Sequence, residues 1–455
     1  MAQELTIEQR MEQFKKRKTP LPDIAKYDSE YNVEKHKIFT DLINFPDREA
    51  EVIRKNEKGE EVVETITIPR NRIGLPYQKR TVNIATTFLF GNPVQYTNNL
   101  DDDTLYIAFK EVVSRNKMIY FDKDISNSVG RWKECAELWY DIEGESEYNS
   151  FKAVRNLKVK LLTPDIYNLY PVFDQTDNLV SFGREFTIKE GNKDVRIFEV
   201  YTASEIITYR NEGSGWNEEI VQNLLGKIPI VYYSGNIEWE DVQTGIERLE
   251  RIYSNVGESN DKFAFPILAL NGEVEGSFSR DRSGKVLMFK GDGSGQFLAP
   301  PQANENLVSE ITRLDDDIHT FTNTPNIFSI KNIQGMGNML AGENAEFIFL
   351  SAHLKVMDKL AIYIPALQRR ASIIKSFLQS YNIKWKSLEL DVEPIITPFI
   401  INNESAFIRM LMEANGNQPI YSQEYSMEKA GIKDVPKMQE QLNKEQEKKA
   451  STQIL

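Results

Sequence analysis

Cysteine is almost absent from this sequence, with Cys135 alone in 455 residues. A lone thiol excludes an intramolecular disulfide framework and any multi-cysteine zinc or iron–sulfur site. Cys135 therefore reads as a small buried hydrophobe. Histidine is nearly as scarce: His36, His319 and His353 cannot build a histidine-rich metal centre. Long apolar runs are missing too. The longest, Phe263 to Leu270, has 8 residues, against roughly 20 needed to span a bilayer, so no membrane partner is expected. The opening Met1-Ala2-Gln3-Glu4-Leu5 carries an acid and no apolar core, and reads as lacking a secretory signal. Positive charge is in deficit: 55 Lys and Arg face 68 Asp and Glu, a net charge of −13. That balance argues against a protein that grips nucleic acid over its whole surface.

Catalytic fingerprints are missing as well. Gly291-Asp292-Gly293-Ser294-Gly295 runs into Gln296 where a dinucleotide loop needs a third glycine. Gly337 is likewise followed by Leu340, Gly284-Lys285 by Val286, and neither His-Glu-x-x-His nor Gly-x-Ser-x-Gly occurs. No cofactor is expected. What remains, at 40% hydrophobic and 27% charged residues, is enough for a sizeable core in roughly three domain-sized units. A soluble, cytosol-assembled, multi-domain protein fits that composition.

Local patterns divide the chain. Residues 1–45 read as a polar helical arm whose basic cluster, Lys15-Lys16-Arg17-Lys18, looks like a solvated helix end. Residues 50–69 carry a hairpin signal, with Asn56-Glu57-Lys58-Gly59 between Val52-Ile53 and Val62-Val63. A helix is predicted from Pro76 to Phe90, stopped by Gly91-Asn92-Pro93, and another over 104–128. Strands follow at Cys135–Ile142, Lys158–Leu162, Leu179–Ile188, Val195–Thr202, Glu205–Arg210 and Ile228–Tyr233. Trp239, Val242, Ile246, Leu249, Ile252 and Val256 then form one apolar stripe on a long helix over 237–262. A strand-rich insert leads to a second striped helix, from about Asn304 to Phe321. The glycine-rich stretch Ser329 to Gly342 predicts a mobile loop. A long helix over 343–381 contains Pro365, which should kink or divide it. Residues 388–401 look extended, and short helices are expected over 403–449.

Two acidic triplets, Asp101-Asp102-Asp103 and Asp315-Asp316-Asp317, could in principle hold Mg²⁺ for nuclease work. Consecutive helix positions point about 100° apart, however, so three such aspartates cannot all face one ion. Asp101 to Asp103 read as a helix cap, Asp315 to Asp317 as a solvated face, and His319 as a surface or satisfied core residue. Between 237 and 322 there are sixteen acids and eight Lys or Arg, which places 8 of the 13 net negative charges there. An acidic face of this kind suppresses binding of DNA phosphates.

The order of elements resembles phage portal proteins of the SPP1-like class. Asn83 to Val94, with Phe88-Leu89-Phe90-Gly91-Asn92-Pro93, is similar to that family's N-terminal helix and its exit. Gly226-Lys227-Ile228-Pro229-Ile230-Val231 is similar to the strand before the first stem helix. Ser254 to Gly272, Ile318 to Asn326, Gly337 to Gly342 and Glu404 to Ser422 resemble the clip entry, the second stem exit, the tunnel-loop region and the crown.

The resemblance implies an α+β portal fold assembled as a ring, a dodecamer, around a central channel. It has a β-rich wing (46–236) after the N-terminal arm (1–45), and a stem hairpin (237–262 and 303–322) around a small α/β clip (263–302). A tunnel-loop region (323–342), a long kinked wing helix (343–384) and an α-helical crown with a charged tail (385–455) complete it. It implies a non-enzymatic channel at the capsid vertex of a virion, assembled in the bacterial host cytoplasm, through which double-stranded DNA is packaged and ejected. Implied partners are further copies of the chain, the terminase large subunit, a head–tail adaptor, and the major capsid and scaffolding proteins. Ser329, Lys331, Asn332, Gln334 and Asn338 would face DNA in the tunnel loop. Glu247, Glu250, Glu310, Asp315 and Asp316 would line an acidic channel wall, and Arg280, Arg282, Lys285 and Lys290 would bind partners at the clip. Other readings are a different virion structural subunit, such as a minor head or connector protein, or a metal-dependent nuclease.

Overall fold

A computed structural model describes residues 5–55, 61–213, 215–263, 304–326 and 343–399. It adds short strand pieces at 267–271, 274–275, 288–289 and 294–298 and isolated positions between 412 and 444. The chain divides into two compact units, Met1–Ser329 with Ser351–Phe399, and Ile330–Leu350 with Ile400–Leu455. In the second unit the described residues are the first turns of a helix that begins at Glu343 and the isolated positions after Met412. Most of the short helices expected over 403–449 therefore lie outside the described residues.

The first unit mixes helices and antiparallel sheet. It opens with α1 (Ile7–Phe14), α2 (Ile24–Tyr31) and α3 (Lys37–Thr40), three short helices in place of one arm. Thr6 starts α1 with a capping box: its Oγ1 accepts from the Gln9 N–H while the Gln9 side chain accepts from the Thr6 N–H. Strands β1 (Arg48–Lys55) and β2 (Glu61–Ile68) form the expected hairpin, with Ile53 opposite Val63.

Helix α4 (Tyr77–Phe90) follows and buries Val82, Ala85, Phe88, Leu89 and Phe90. It ends before Gly91, where only glycine fits. A Cβ would lie 2.4 Å from the Thr87 carbonyl oxygen and 2.8 Å from Phe399 Cβ. Strand β3 (Gln95–Asn98) comes next, then α5 (Thr104–Arg115) and α6 (Met118–Trp132). The single helix expected over 104–128 is thus two helices. The break falls at Lys117, whose φ of 51° lies in the left-handed region.

The strand-rich part holds β4 (Glu134–Tyr148), β5 (Phe151–Leu162), β6 (Asn168–Phe173), β7 (Leu179–Glu190), β8 (Lys193–Tyr201), β9 (Glu205–Asn211), β10 (Trp216–Gln222) and β11 (Ile230–Ser234). They make a three-stranded sheet, β11-β4-β5, and a five-stranded meander, β10-β9-β8-β7-β6. Ala136, Leu138 and Ile230 of the first sheet join Leu169, Phe182 and Tyr201 of the second in one buried cluster. The sequence pattern misses β6 and β10. Both are sheet edges, where Pro171 is tolerated and where β10 stays mostly exposed without alternation.

Helix α7 (Gln243–Phe263) leads to the strand pairs β12 (Ile267–Asn271) with β15 (Ser294–Leu298) and β13 (Val274–Glu275) with β14 (Met288–Phe289). Helix α8 (Asn304–Phe321) returns. Trp239 and Val242 precede α7, in and beside a 3₁₀ turn, so they sit in its core without belonging to the helix. Helix α9 (Glu343–Tyr381) stays helical through Pro365 and is not divided there. Strand β16 (Val392–Ile395) finally pairs antiparallel with β3.

Candidate functional site

The apolar stripes of α7 and α8 meet. Ile246, Leu249 and Ile318 are buried together with Val82, Trp132 and Trp239, and Ile311 and Leu314 pack against them. The position where a Gly245 Cβ would stand is 3.9 Å from Ile318 Cγ1, and Arg248 reaches Glu310 at 2.8 Å. Ascending numbers on one helix meet descending numbers on the other, so the two run antiparallel.

A second set of contacts fixes α7 from the opposite side. The Ile73 N–H donates to Ser254 Oγ at 2.9 Å and the Leu75 N–H to Glu250 Oε1 at 2.8 Å. Arg70 stands 3.5 Å from Glu258 and donates to Asn255 Oδ1 at 2.7 Å. His36 Nδ1 lies 2.5 Å from Glu250 Oε1, and both side chains are buried. Glu250 is therefore not a wall residue. Its carboxylate faces inward and organises the strap from Arg70 to Tyr77 against the helix.

The other expected wall acids have partners as well. Glu247 pairs with Lys37 at 2.9 Å and accepts from Gln243 Nε2 at 3.0 Å. Glu310 pairs with Arg248. Asp315 accepts from Tyr77 Oη at 2.5 Å and from Asn326 Nδ2 at 2.9 Å. Burial, and then the bond to Asp315, pushes the Tyr77 hydroxyl well above its ordinary range, so Tyr77 remains the donor. Asp316 is exposed, 3.4 Å from Asn326 Nδ2, and Asp317 stands 3.9 Å from Arg313. Asp315 and Asp316 thus share Asn326, while Asp317 faces Arg313. Among the described residues no group of three or more His, Cys, Asp or Glu is placed to hold a metal ion.

His319 is buried, with Nδ1 2.8 Å from Thr324 Oγ1. Burial and the nearby Arg80 lower its pKa against the pull of Asp315 and Asp316, which keeps the imidazole neutral at pH 7. The Asp101–Asp103 triplet does flank a helix start. Asp102 Oδ1 accepts from the Thr104 N–H at 2.8 Å, and Asp103 Oδ1 from Asn98. Cys135 is fully buried, and burial first, then Glu137 and Glu134, raises its thiol pKa far above the usual value.

The basic cluster departs from its expected role as a solvated helix end. Arg17 is bound by Glu134 at 2.6 Å, with both side chains buried, and Tyr232 donates to the same carboxylate. Lys15 pairs with Glu185 and lies over the Phe198 ring, and Lys18 pairs with Asp177. The run clamps the N-terminal segment onto the strands.

A buried network is absent from the sequence reading altogether. The Arg370 guanidinium, fully enclosed, donates to Glu137 and Asp122 at 2.6 Å each and to Tyr96 Oη at 3.2 Å. Glu137 also accepts from Trp139 Nε1 and Tyr233 Oη. Its one sequence signal is the pair Arg369-Arg370 within an otherwise apolar stretch of α9. A groove of about 830 Å³ between the sheets and the end of α9 is lined by two ion pairs, Arg184 with Glu199 and Arg155 with Asp141, and by Lys160, whose ammonium lies over the Tyr167 ring.

The expected tunnel-loop residues Ser329, Lys331, Asn332, Gln334 and Asn338 lie outside the described residues, as do the clip residues Arg280, Arg282, Lys285 and Lys290.

Comparison with known proteins gives one family. The model of "Phage portal protein, SPP1 Gp6-like" matches residues 13–452. No curated protein matches. Among solved structures, a chain of the virion of a native gene transfer agent particle aligns with a TM-score of 0.44 at 10% identity, over 80% of this chain and 91% of that one. A chain from the neck of the empty particle, computed with C6 symmetry, gives 0.44 at 10% identity over 79% and 90%. One from the neck of the native particle, computed with C12 symmetry, gives 0.42 at 10% identity over 80% and 91%. The family match spans nearly the whole chain, and the protein belongs to the SPP1 Gp6-like family of phage portal proteins.

Proposed function

We propose that this chain is the subunit of a ring, a dodecamer, that forms the channel at the unique vertex of a phage capsid. Double-stranded DNA is packaged and later ejected through it. The observation that carries this reading is the family match over residues 13–452. The antiparallel pair α7 and α8, joined through a short strand-rich insert, is consistent with a stem and clip. In this reading the strands from β4 to β11 belong to the wing and residues 385–455 to the crown. Residues 323–342 hold the tunnel loop. The terminase large subunit docks on the clip during packaging and a head–tail adaptor replaces it, while capsid and scaffolding proteins surround the wing. The chain itself performs no catalysis and acts by geometry and charge.

A closed ring of one polypeptide uses heterologous contacts, in which one face of each copy meets a different face of the next. The α7–α8 seam is consumed inside the subunit, so ring contacts use other faces of these helices. The channel acids reduce to those still turned to solvent, foremost Asp316. Mass photometry and class averages of the purified full-length chain test the reading: twelvefold rings support it, and a monomer at every concentration and salt refutes it. Deleting Gln334 to Asn338 should leave rings intact and abolish DNA packaging; normal packaging would overturn the tunnel-loop assignment.

A further inference from the structure

The β1–β2 hairpin lacks a core. None of its described residues is buried, and Ile53, Val63, Val62 and Ile68 are 64%, 57%, 47% and 38% exposed. The register puts Ile53 and Val63 on one face and Val52, Val62, Ile66 and Ile68 on the other, so both faces carry β-branched apolar side chains. It is a two-stranded sheet, and among the described residues neither outer edge is paired. An isolated two-stranded ribbon is at best marginally stable in water, and bare apolar edges invite pairing with another chain.

Its root, by contrast, is firmly held. Arg48 at the start of β1 and Arg70 just after β2 both reach Glu258 of α7, at 3.4 and 3.5 Å. Asp47 accepts from the Arg70 N–H at 3.0 Å and pairs with Arg72 at 2.7 Å, tying the two ends of the ribbon together. A ribbon with a fixed root and uncovered faces is built to reach a surface outside its own subunit.

Its charge and dimensions indicate what kind of surface. Glu49, Glu51, Glu61 and Glu64 outnumber Arg48, Arg54 and Lys55, so the ribbon offers no cationic excess to attract a phosphate backbone. Eight residues per strand make a ribbon roughly 27 Å long and about 10 Å wide. Clasped on both faces it would cover roughly 550 Å², most of the ~800 Å² per partner of a stable interface. Apolar, β-branched contact of that extent suits a permanent neighbour, and a heterologous ring supplies one at every subunit. We infer that the hairpin is an assembly arm that clasps the adjacent copy of this chain. The inference rests on the ring reading and adds to it which element closes the ring.

The test uses the full-length protein in two forms. Ile53→Asp with Val63→Asp should require at least about tenfold more protein for half-assembly by mass photometry. Its thermal melt as a dilute monomer should stay within a degree of the wild type, because no buried residue changes. Independently, Val63→p-benzoylphenylalanine, irradiated within assembled rings, should yield covalent dimers and higher ladders. Rings that form normally from the double variant, with a photoproduct that stays monomeric on denaturing gels, would overturn the arm and leave the ring standing. A wild-type chain that never forms rings would overturn the ring reading, and the arm with it.

Discussion

Leu249→Ala asks whether the helix pair is held by its apolar seam or by its charges. Leu249 is completely buried between Ile246, Ile318, Leu314 and Trp239. The substitution removes three buried carbons at roughly 0.8 kcal/mol each, about 2.4 kcal/mol of transfer free energy. The surrounding helices relax only partly, and the residual cavity raises the cost to about 3–4 kcal/mol. The competing explanation is the Arg248–Glu310 pair across the same helices, whose side chains remain 49% and 38% exposed. Pairs of that exposure contribute about 0.2–1 kcal/mol and weaken with salt. Urea unfolding followed by tryptophan fluorescence reports on the seam directly, since Trp239 and Trp132 belong to it. Leu249→Ala should lower the midpoint several times more than Glu310→Gln, and only the Glu310→Gln effect should vanish in half-molar salt. Leu249→Asp should prevent the helices from packing at all, because the seam has no partner for a carboxylate. Equal midpoints for Leu249→Ala and the wild type would refute the packing argument.

Arg370→Met should cost roughly 3–5 kcal/mol by leaving Asp122 and Glu137 buried without their cation. Burial already pushes the Asp122 carboxyl upward against Arg370's pull; without the arginine the folded state binds protons more tightly than the unfolded chain, so the variant should regain stability as pH falls from 7 toward 5, and a urea midpoint that stays flat over that window would count against this. Arg17→Ala removes the buried partner of Glu134 and should cost about 3 kcal/mol, seen as faster hydrogen exchange over residues 7–14 than over α4; unchanged exchange would show that the basic run is not the clamp. Asp316→Lys, at an exposed site, should leave assembly intact and slow DNA packaging more in low salt than in high; packaging indifferent to salt would place Asp316 away from the channel.

Legibility in the sequence tracked how local the determining physics is. The stripe Ile246, Leu249, Ile311, Leu314, Ile318 has helical period, and the chain folds it into α7 and α8 within a few residues of the expected ends for α8, with the start of α7 six residues late. The six residues before α7 kept the apolar positions Trp239 and Val242 but made a turn, since burial alone does not distinguish helix from 3₁₀. Strand β6 was hidden by Pro171 and β10 by its exposed, polar edge position. Glu250, Arg17 and Arg370 were misread or unnoticed because their partners lie 214, 117 and 233 positions away. No local pattern marks a charge as buried when the neutralising group is that distant.

The redistribution of charge changes how a repellent wall would work. Counted in sequence, the region from 237 to 322 looks uniformly acidic. In the fold, Glu250 is enclosed beside His36, Glu247 is met by Lys37 from outside the region, and Glu310 is met by Arg248. On α8 the acids Asp316 and Asp317, in its last two turns, still face water, and among the other described residues of the region Glu240, Asp241 and Asp261 are exposed too. Acids are disfavoured toward a helix C-terminus, where the macrodipole is already negative. Asp315 offsets this with Tyr77, and Asp316 stands 3.4 Å from Asn326 Nδ2. A side chain held where its own helix disfavours it is better explained by a task outward than by stability. At physiological salt a charge acts over about 8 Å, so a ring of such residues at one level would push on a passing duplex only as it crosses that level. Repulsion confined to one band lets DNA pass without a uniformly charged rod.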